Sequence, residues 1–164
     1  MAVNGTPPVE RIVLPIRNAV RALVLRQGRI LLLRKRYAGN VLRYALPGGG
    51  QDPGESLHDA LQRECREEIG TEVAVLDLRH VADVFREREA GGYRQQVEFV
   101  FLCRLPRGYE PVCGSKPDRR QEAVEWVGLQ RLDEIDLRPA GYAALIRQVA
   151  LDAGHVYAGL LTSP

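Results

Sequence analysis

Lysine is nearly missing from this chain. Lys35 and Lys116 are the only two among 23 basic residues. Methionine and tryptophan occur once each, and aromatic residues make up 6%. The three cysteines, Cys65, Cys103 and Cys113, are odd in number and lack metal-ligand spacing, which excludes a disulfide scaffold. Free thiols suit a reducing cytosol, so a cytoplasmic setting is expected. The free cysteines show no nucleophile arrangement, which argues against covalent catalysis. His58, His80 and His155 are scattered and read as structural or solvated. No apolar run approaches the ~20 residues needed to cross a bilayer. The first eight residues lack the basic-then-apolar order of a signal peptide. Repeats and low-complexity tracts are absent.

What remains is an ordinary globular composition. The chain has 164 residues, 45% hydrophobic and 27% charged. That length suits one domain. The net charge of +2 is too small to argue for nucleic acid as a partner. The preference for arginine has two readings that stand side by side. One is a GC-rich coding bias, and the other is that guanidinium forks suit phosphates.

The segment to Pro15 is extended and punctuated by proline. Residues 1–16 are therefore expected to form a surface arm, and residues 17–164 a single domain. Asn18–Leu25 and Arg29–Arg36 are apolar-rich runs around Gln27-Gly28, a hairpin signal. Tyr37–Gly50 holds Pro47 and three consecutive glycines and reads as a loop. Ser56 opens a helix to Ile69, with Asp59 as its capping partner and Gly70 as its stop. Glu72–Arg86 and Arg94–Arg104 read as strands around a Gly91-Gly92 tip. Leu105–Gln121 is a long loop, of the kind that tends to be functional. Ala123–Val127 reads as a short strand containing Trp126, a core residue. Pro139–Ala153 reads as a final helix burying Ala143, Ile146, Val149 and Ala150. Mixed strands flanked by helices imply an α/β sandwich with a mixed sheet.

The helix from Ser56 is unusual. At about 100° per residue, Leu57, Leu61, Cys65 and Ile69 form one apolar side. Glu64 and Glu68 project along that same arc, and Glu67 sits at its edge. Three acids within one turn repel one another. Turning two of them toward an apolar face adds a desolvation cost of several kcal/mol per uncompensated charge. For an arbitrary E-x-x-E-E the ordinary explanation is a solvated face. A bound divalent cation solves the problem better, and oxygen-only ligands suit Mg²⁺, Mn²⁺ or Ca²⁺. The preceding Leu46-Pro47-Gly48-Gly49-Gly50 strengthens this view. Glycines let backbone groups approach a ligand, and a helix N-terminus nearby favours anions.

Gly49 to Thr71 resembles the Nudix box, G-x5-E-x7-R-E-U-x-E-E-x-G-U, where U is a bulky aliphatic residue. Gly49, Glu55, Arg63, Glu64, Glu67, Glu68 and Gly70 fill all seven fixed positions. Chance agreement is on the order of 10⁻⁸ per starting residue. Cys65 and Thr71 depart from the aliphatic positions, which touches packing and not chemistry. The lead-in Tyr44-Ala45-Leu46-Pro47-Gly48-Gly49-Gly50 is similar to that of the family.

The resemblance implies a Nudix-type α/β/α sandwich with a mixed sheet. It implies hydrolysis of a phosphoanhydride bond in a nucleoside diphosphate linked to another group, with Mg²⁺ or Mn²⁺. Glu64, Glu67 and Glu68 would then be metal ligands, or one of them the base. Glu55 would support the metal or its water. Arg63 would pair with a box glutamate, and Gly49 would offer its carbonyl to the metal. The base could also be Glu122, just before the late strand, or Glu98 in mid-strand, with Asp118 a further candidate. Arg34, Arg36, Tyr44, Gly48 and Gly50 are candidates for substrate contact. The expected partner is a nucleotide-type small molecule, with nucleoside triphosphates and nucleotide sugars the widest classes. A homodimer joined by the arm is an open alternative. The competing reading is a silent nucleotide-binding module of the same fold. Retention of every fixed acid favours the enzyme.

Overall fold

Residue alternation decides where each strand points. A computed structural model describes residues 8–152 and 156–163. His155, Ala153 of the expected last helix and residues 1–7 of the expected arm lie outside the described residues. Strand β1 (Ile12–Arg26) turns into β2 (Arg29–Tyr37) through Gln27 and Gly28, both at positive φ. The expected hairpin is present, but β1 starts earlier than Asn18. Ile12 and Val13 already pair with Tyr93 and Arg94.

The stretch expected as one loop contains a further strand, β3 (Val41–Ala45), antiparallel to β2. Its Val-Leu-Arg-Tyr run fits a pleated surface, and Gly39 at φ 70° allows the reversal before it. Helix α1 (Leu57–Ile69) follows as expected. Ser56 Oγ accepts from the Asp59 N–H, and the Asp59 carboxylate accepts from the Ser56 N–H, so the capping box is complete. Gly70 ends the helix in the left-handed region at φ 72°. Strands β4 (Ala74–Glu87) and β5 (Tyr93–Arg104) form a long hairpin, and β6 (Gln121–Gly128) pairs with β2.

Helix α2 (Tyr142–Ala150) is shorter than expected. Gly141 sits at φ 94°, outside helical space, so the helix starts after it. Tyr142, Ile146 and Val149 form its buried stripe. Ala143 is half-buried and Ala150 is exposed, because Ala150 falls beyond that stripe. A final strand, β7 (Tyr157–Ser163), lies parallel to β4 and was not expected from the sequence.

The sheet runs in the order β3-β2-β1-β5-β4-β7, with β6 on β2. It is mixed, since β1–β5 and β4–β7 are parallel and the other pairs antiparallel. Val20, Ala22, Val24, Leu31 and Leu33 face α1 and pack on Ala60, Leu61, Cys65 and Ile69. The alternate residues Leu23, Ile30, Leu32 and Val100 face Tyr142, Ile146 and Val149 of α2. The expected α/β/α sandwich is therefore the observed architecture. Full burial of a side chain such as Leu61 or Ile69 contributes about 1.5–3 kcal/mol. That contact fixes the face of α1 that carries the acids.

Candidate active site

The glycine loop is laced onto β1. Val20 N–H donates to Gly49 O at 2.9 Å, and Ala22 N–H donates to Pro47 O at 2.8 Å. Gln51 N–H returns to Asn18 O at 3.1 Å. Glycine is required twice. A Cβ on Gly48, at φ 134°, would stand 2.0 Å from Val20 O. A Cβ on Gly49 would stand 2.5 Å from Glu64 Oε1. The loop and the acidic helix are thus in direct contact. Gly48 N–H donates to Glu68 Oε2 at 2.8 Å.

Glu64, Glu67 and Glu68 line one cavity of about 1160 Å³ together with Gly48, Gly49 and Gly50. Glu68 is almost fully buried, and its burial pushes the carboxyl up to about 7 against the pull of Lys35, the Gly48 N–H and Arg21. Arg63 clasps this group from the solvent side. Its Nε donates to Glu55 Oε1 at 2.6 Å, and Nη1 donates to Glu64 Oε1 at 2.8 Å. Nη2 donates to Gly50 O at 2.9 Å, and Glu67 Oε2 lies 3.8 Å from Nη1. Glu55 stands behind Arg63 and off the cavity wall. The hydrogen bonds from Arg63 and the Asp52 N–H hold its carboxyl below the usual range.

As these carboxylates stand, no group of three His, Cys, Asp or Glu among the described residues converges as ligands would. Arg63 occupies Glu64, and the Gly48 N–H occupies one oxygen of Glu68. The donor chemistry nevertheless fits a hard divalent ion. Three carboxylates of one helix face open space, and no thiolate or imidazole lines the cavity. Gly49 O spends one lone pair on Val20 N–H, which leaves the second.

Four expected contacts lie elsewhere. Arg34, Arg36, Tyr44 and Glu122 do not line the cavity. Leu31 and Leu33 face α1, so alternation carries Lys35 to that side and turns Arg34 and Arg36 away. Glu122 falls where the β2–β6 register slips, and it accepts from Arg34 Nε at 2.9 Å and Arg36 Nε at 2.6 Å. Tyr44 packs into the α2 core. Lys35 takes the place expected of the arginines and pairs with Asp118 at 3.4 Å.

Glu98 is fully buried on the α2 side of β5. It accepts from Arg21 Nη2 at 3.0 Å, from Arg86 Nη2 at 2.8 Å and from the Tyr142 hydroxyl. Burial raises its carboxyl, but Arg21 and Arg86 outweigh that and hold it well below the usual range. Arg21 also donates to Gly48 O. A buried chain of contacts therefore runs from Tyr142 through Glu98 and Arg21 to Gly48 and Glu68. Arg21, Arg86, Arg88 and Arg94 were not singled out from the sequence, yet all four line the cavity. For Arg86 and Arg94 the signal is strand parity, since the two stand opposite each other on one face of the β4–β5 pairing.

The long loop serves the helix. Gly114 N–H donates to Glu68 O at 3.1 Å and Lys116 N–H to Glu67 O at 2.9 Å. Gln121 Nε2 donates to Glu68 O at 2.7 Å and Tyr109 Oη to Ile69 O at 2.8 Å. These donors satisfy the last carbonyls of α1, which a helix cannot bond internally. His58 meets the Phe101 ring edge-on at 5.3 Å, and buried His80 belongs to β4, so neither lines the cavity.

Comparison with known proteins agrees with this geometry. A family model for the NUDIX domain matches residues 15–149. A nucleoside triphosphatase NudI of Escherichia coli O1:K1 / APEC is 30% identical over 132 residues, covering 76% of this chain and 90% of that protein. The crystal structure of a MutT NUDIX hydrolase from Burkholderia pseudomallei is similar at a TM-score of 0.59 and 32% identity, covering 82% of this chain and 98% of that one. A UDP-X diphosphatase shares the fold at a TM-score of 0.67 and 24% identity, covering 90% of this chain and 68% of that one. Among the described residues no helix is long and apolar enough to cross a membrane.

Proposed function

The chain belongs to the Nudix family of hydrolases acting on acid anhydrides, and on that premise we propose that it cleaves a phosphoanhydride bond with the aid of Mg²⁺ or Mn²⁺. The substrate is a nucleoside diphosphate linked to another group, either a nucleoside triphosphate or a nucleotide sugar. The observation that carries this reading is the single cavity holding Gly48–Gly50 and the three α1 carboxylates. The likeness to the NudI protein, a nucleoside triphosphatase by name, supports the same class.

Glu64, Glu67 and Glu68 would hold the ion, with the free lone pair of Gly49 O as a further donor. When bound, a divalent ion supplies charge neutralisation on the phosphates and a more acidic water. The chain's own residues do the rest. Arg63 fixes Glu64 and braces Glu67, while Glu55 fixes Arg63. Gly50, with open space where a Cβ would stand, leaves room for the phosphate chain to lie against the backbone. Lys35 and Arg21 offset the carboxylates on the wall. Of the candidate bases, Glu64, Glu67, Glu68 and Asp118 border the cavity, and Asp118 is paired with Lys35. Glu98 and Glu122 are engaged by arginines. We therefore assign both roles to the α1 carboxylates, which would hold the ion and accept the water's proton. The proposed setting is the cytoplasm, as a monomer or as a homodimer joined through the N-terminal segment.

The test is product analysis by mass spectrometry in ¹⁸O water. A panel of nucleoside triphosphates and nucleotide sugars is incubated with Mg²⁺, with Mn²⁺ and with chelator. Metal-dependent loss of one class, with ¹⁸O in one product, supports the reading. No loss from any class by folded, metal-loaded protein refutes it.

A further inference from the structure

One wall of the cavity carries Arg86, Arg88 and Arg94, of which Arg86 alone has an acid partner among the described residues. Arg86 and Arg94 stand directly opposite each other in the β4–β5 pairing. Like charges in that position destabilise a sheet. Arg17 pairs with Gln96 on the neighbouring strand, and Arg88 sits where the hairpin turns. Arg86 has Glu98, but its buried Nε has no hydrogen-bond partner. Among the described residues, Arg17, Arg88 and Arg94 form no ion pair. The nearby Glu89 is taken by Arg119 and Arg120, and Glu87 makes no ion pair with the cluster. Burial and then Arg17, Arg88 and Arg86 make it harder for Arg94 to stay charged. Three guanidiniums, those of Arg86, Arg88 and Arg94, at one end of a half-enclosed cavity attract anions strongly, because the low-dielectric walls focus their field.

We infer that Arg88 and Arg94, with Arg86 beneath and Arg17 beside them, form a second anion subsite that receives the terminal phosphate of a nucleoside triphosphate. This rests on the reading above and narrows it. A triphosphate extends a charged group from the reacting bond into the arginine wall. A nucleotide sugar presents neutral hydroxyls there and leaves the guanidiniums uncompensated. Guanidinium forks match phosphate oxygens in pairs, which a sugar cannot reproduce. Triphosphates are therefore the preferred substrate class.

The test compares the parent protein with Arg94→Gln and Arg88→Gln. The parent should favour triphosphates in kcat/KM, and each variant should lose about tenfold on triphosphates, mainly through KM, and several-fold less on nucleotide sugars. Calorimetry with inorganic tripolyphosphate, without metal, should show a matching loss of about tenfold in affinity. The thermal midpoint of Arg94→Gln should stay level or rise, because a like-charge contact is relieved. A merely structural arginine would give a lower midpoint. Unchanged triphosphate KM and tripolyphosphate affinity in both variants would overturn the subsite while leaving the hydrolase reading intact. Weaker tripolyphosphate binding in a protein that hydrolyses nothing would support the subsite and defeat the hydrolase reading. Parent preference for nucleotide sugars would overturn the assigned substrate class.

Discussion

Arg21 and Glu98 form an ion pair inside the protein, with Nη2 and Oε1 3.0 Å apart and no solvent contact on the glutamate. The same guanidinium holds Gly48 O, and the Gly48 N–H holds Glu68. A contact in the α2 layer is thereby joined to an acid on the α1 layer.

Replacing Glu98 by Gln should cost about 3–5 kcal/mol, because it leaves buried Arg21 without its counter-charge. Chemical denaturation at neutral pH measures this. The pH dependence has a definite sign. The folded carboxyl titrates well below its unfolded value, so its stabilisation is present above about pH 4.3 and is lost as pH falls toward the folded value. The parent should weaken steeply with acid, and Glu98→Gln should weaken less.

Gly49→Ala should fold and fail in function. The added Cβ would meet Glu64 Oε1 at 2.5 Å, and the end of a glutamate can swing aside. Hydrolysis should fall at least about tenfold, as expected when a metal-holding group is displaced, with the thermal midpoint nearly unchanged. Circular dichroism and steady-state kinetics on one preparation check both halves.

Gly114→Ala should act in the opposite way. Its Cβ would lie 2.4 Å from the backbone carbonyls of Arg66 and Glu67, which cannot swing aside. The strain should cost about 1–3 kcal/mol, read as a lower denaturant midpoint. Hydrogen exchange should show the last turn of α1 losing protection first.

Arg63→Gln should lower kcat by about 10–100-fold, the usual effect of losing a group that orients metal ligands. Its stability should change by less than about 1 kcal/mol, since the pairs it makes are partly solvated. Arg63→Lys should recover little, because one ammonium cannot reach Glu55, Glu64 and Gly50 O together.

Local patterns explain what was legible in the sequence. The α1 cap, its glycine stop and the inward turn of Glu64 and Glu68 follow from spacing along one helix. Strands β3 and β7 were missed because pairing with β2 and β4 decides them. The sequence offers Arg34 and Arg36 for substrate contact, but parity gives the cavity to Lys35. Which parity mattered depended on where α1 packs, a tertiary fact. The Arg86–Arg94 contact required the register of a long hairpin with two irregularities. Much of the Leu105–Gln121 loop, of a length that points to function, holds the end of α1 instead.

We propose that the α1 carboxylates carry out metal-dependent hydrolysis. The most direct measurement is Mg²⁺-dependent turnover of a nucleoside triphosphate by Glu67→Gln, Glu68→Gln and the parent, each confirmed folded by circular dichroism. Turnover should fall about 100-fold or more in both variants, as when an ionised group that stabilises the transition state is removed. Parent-like turnover in both folded variants would contradict the proposal.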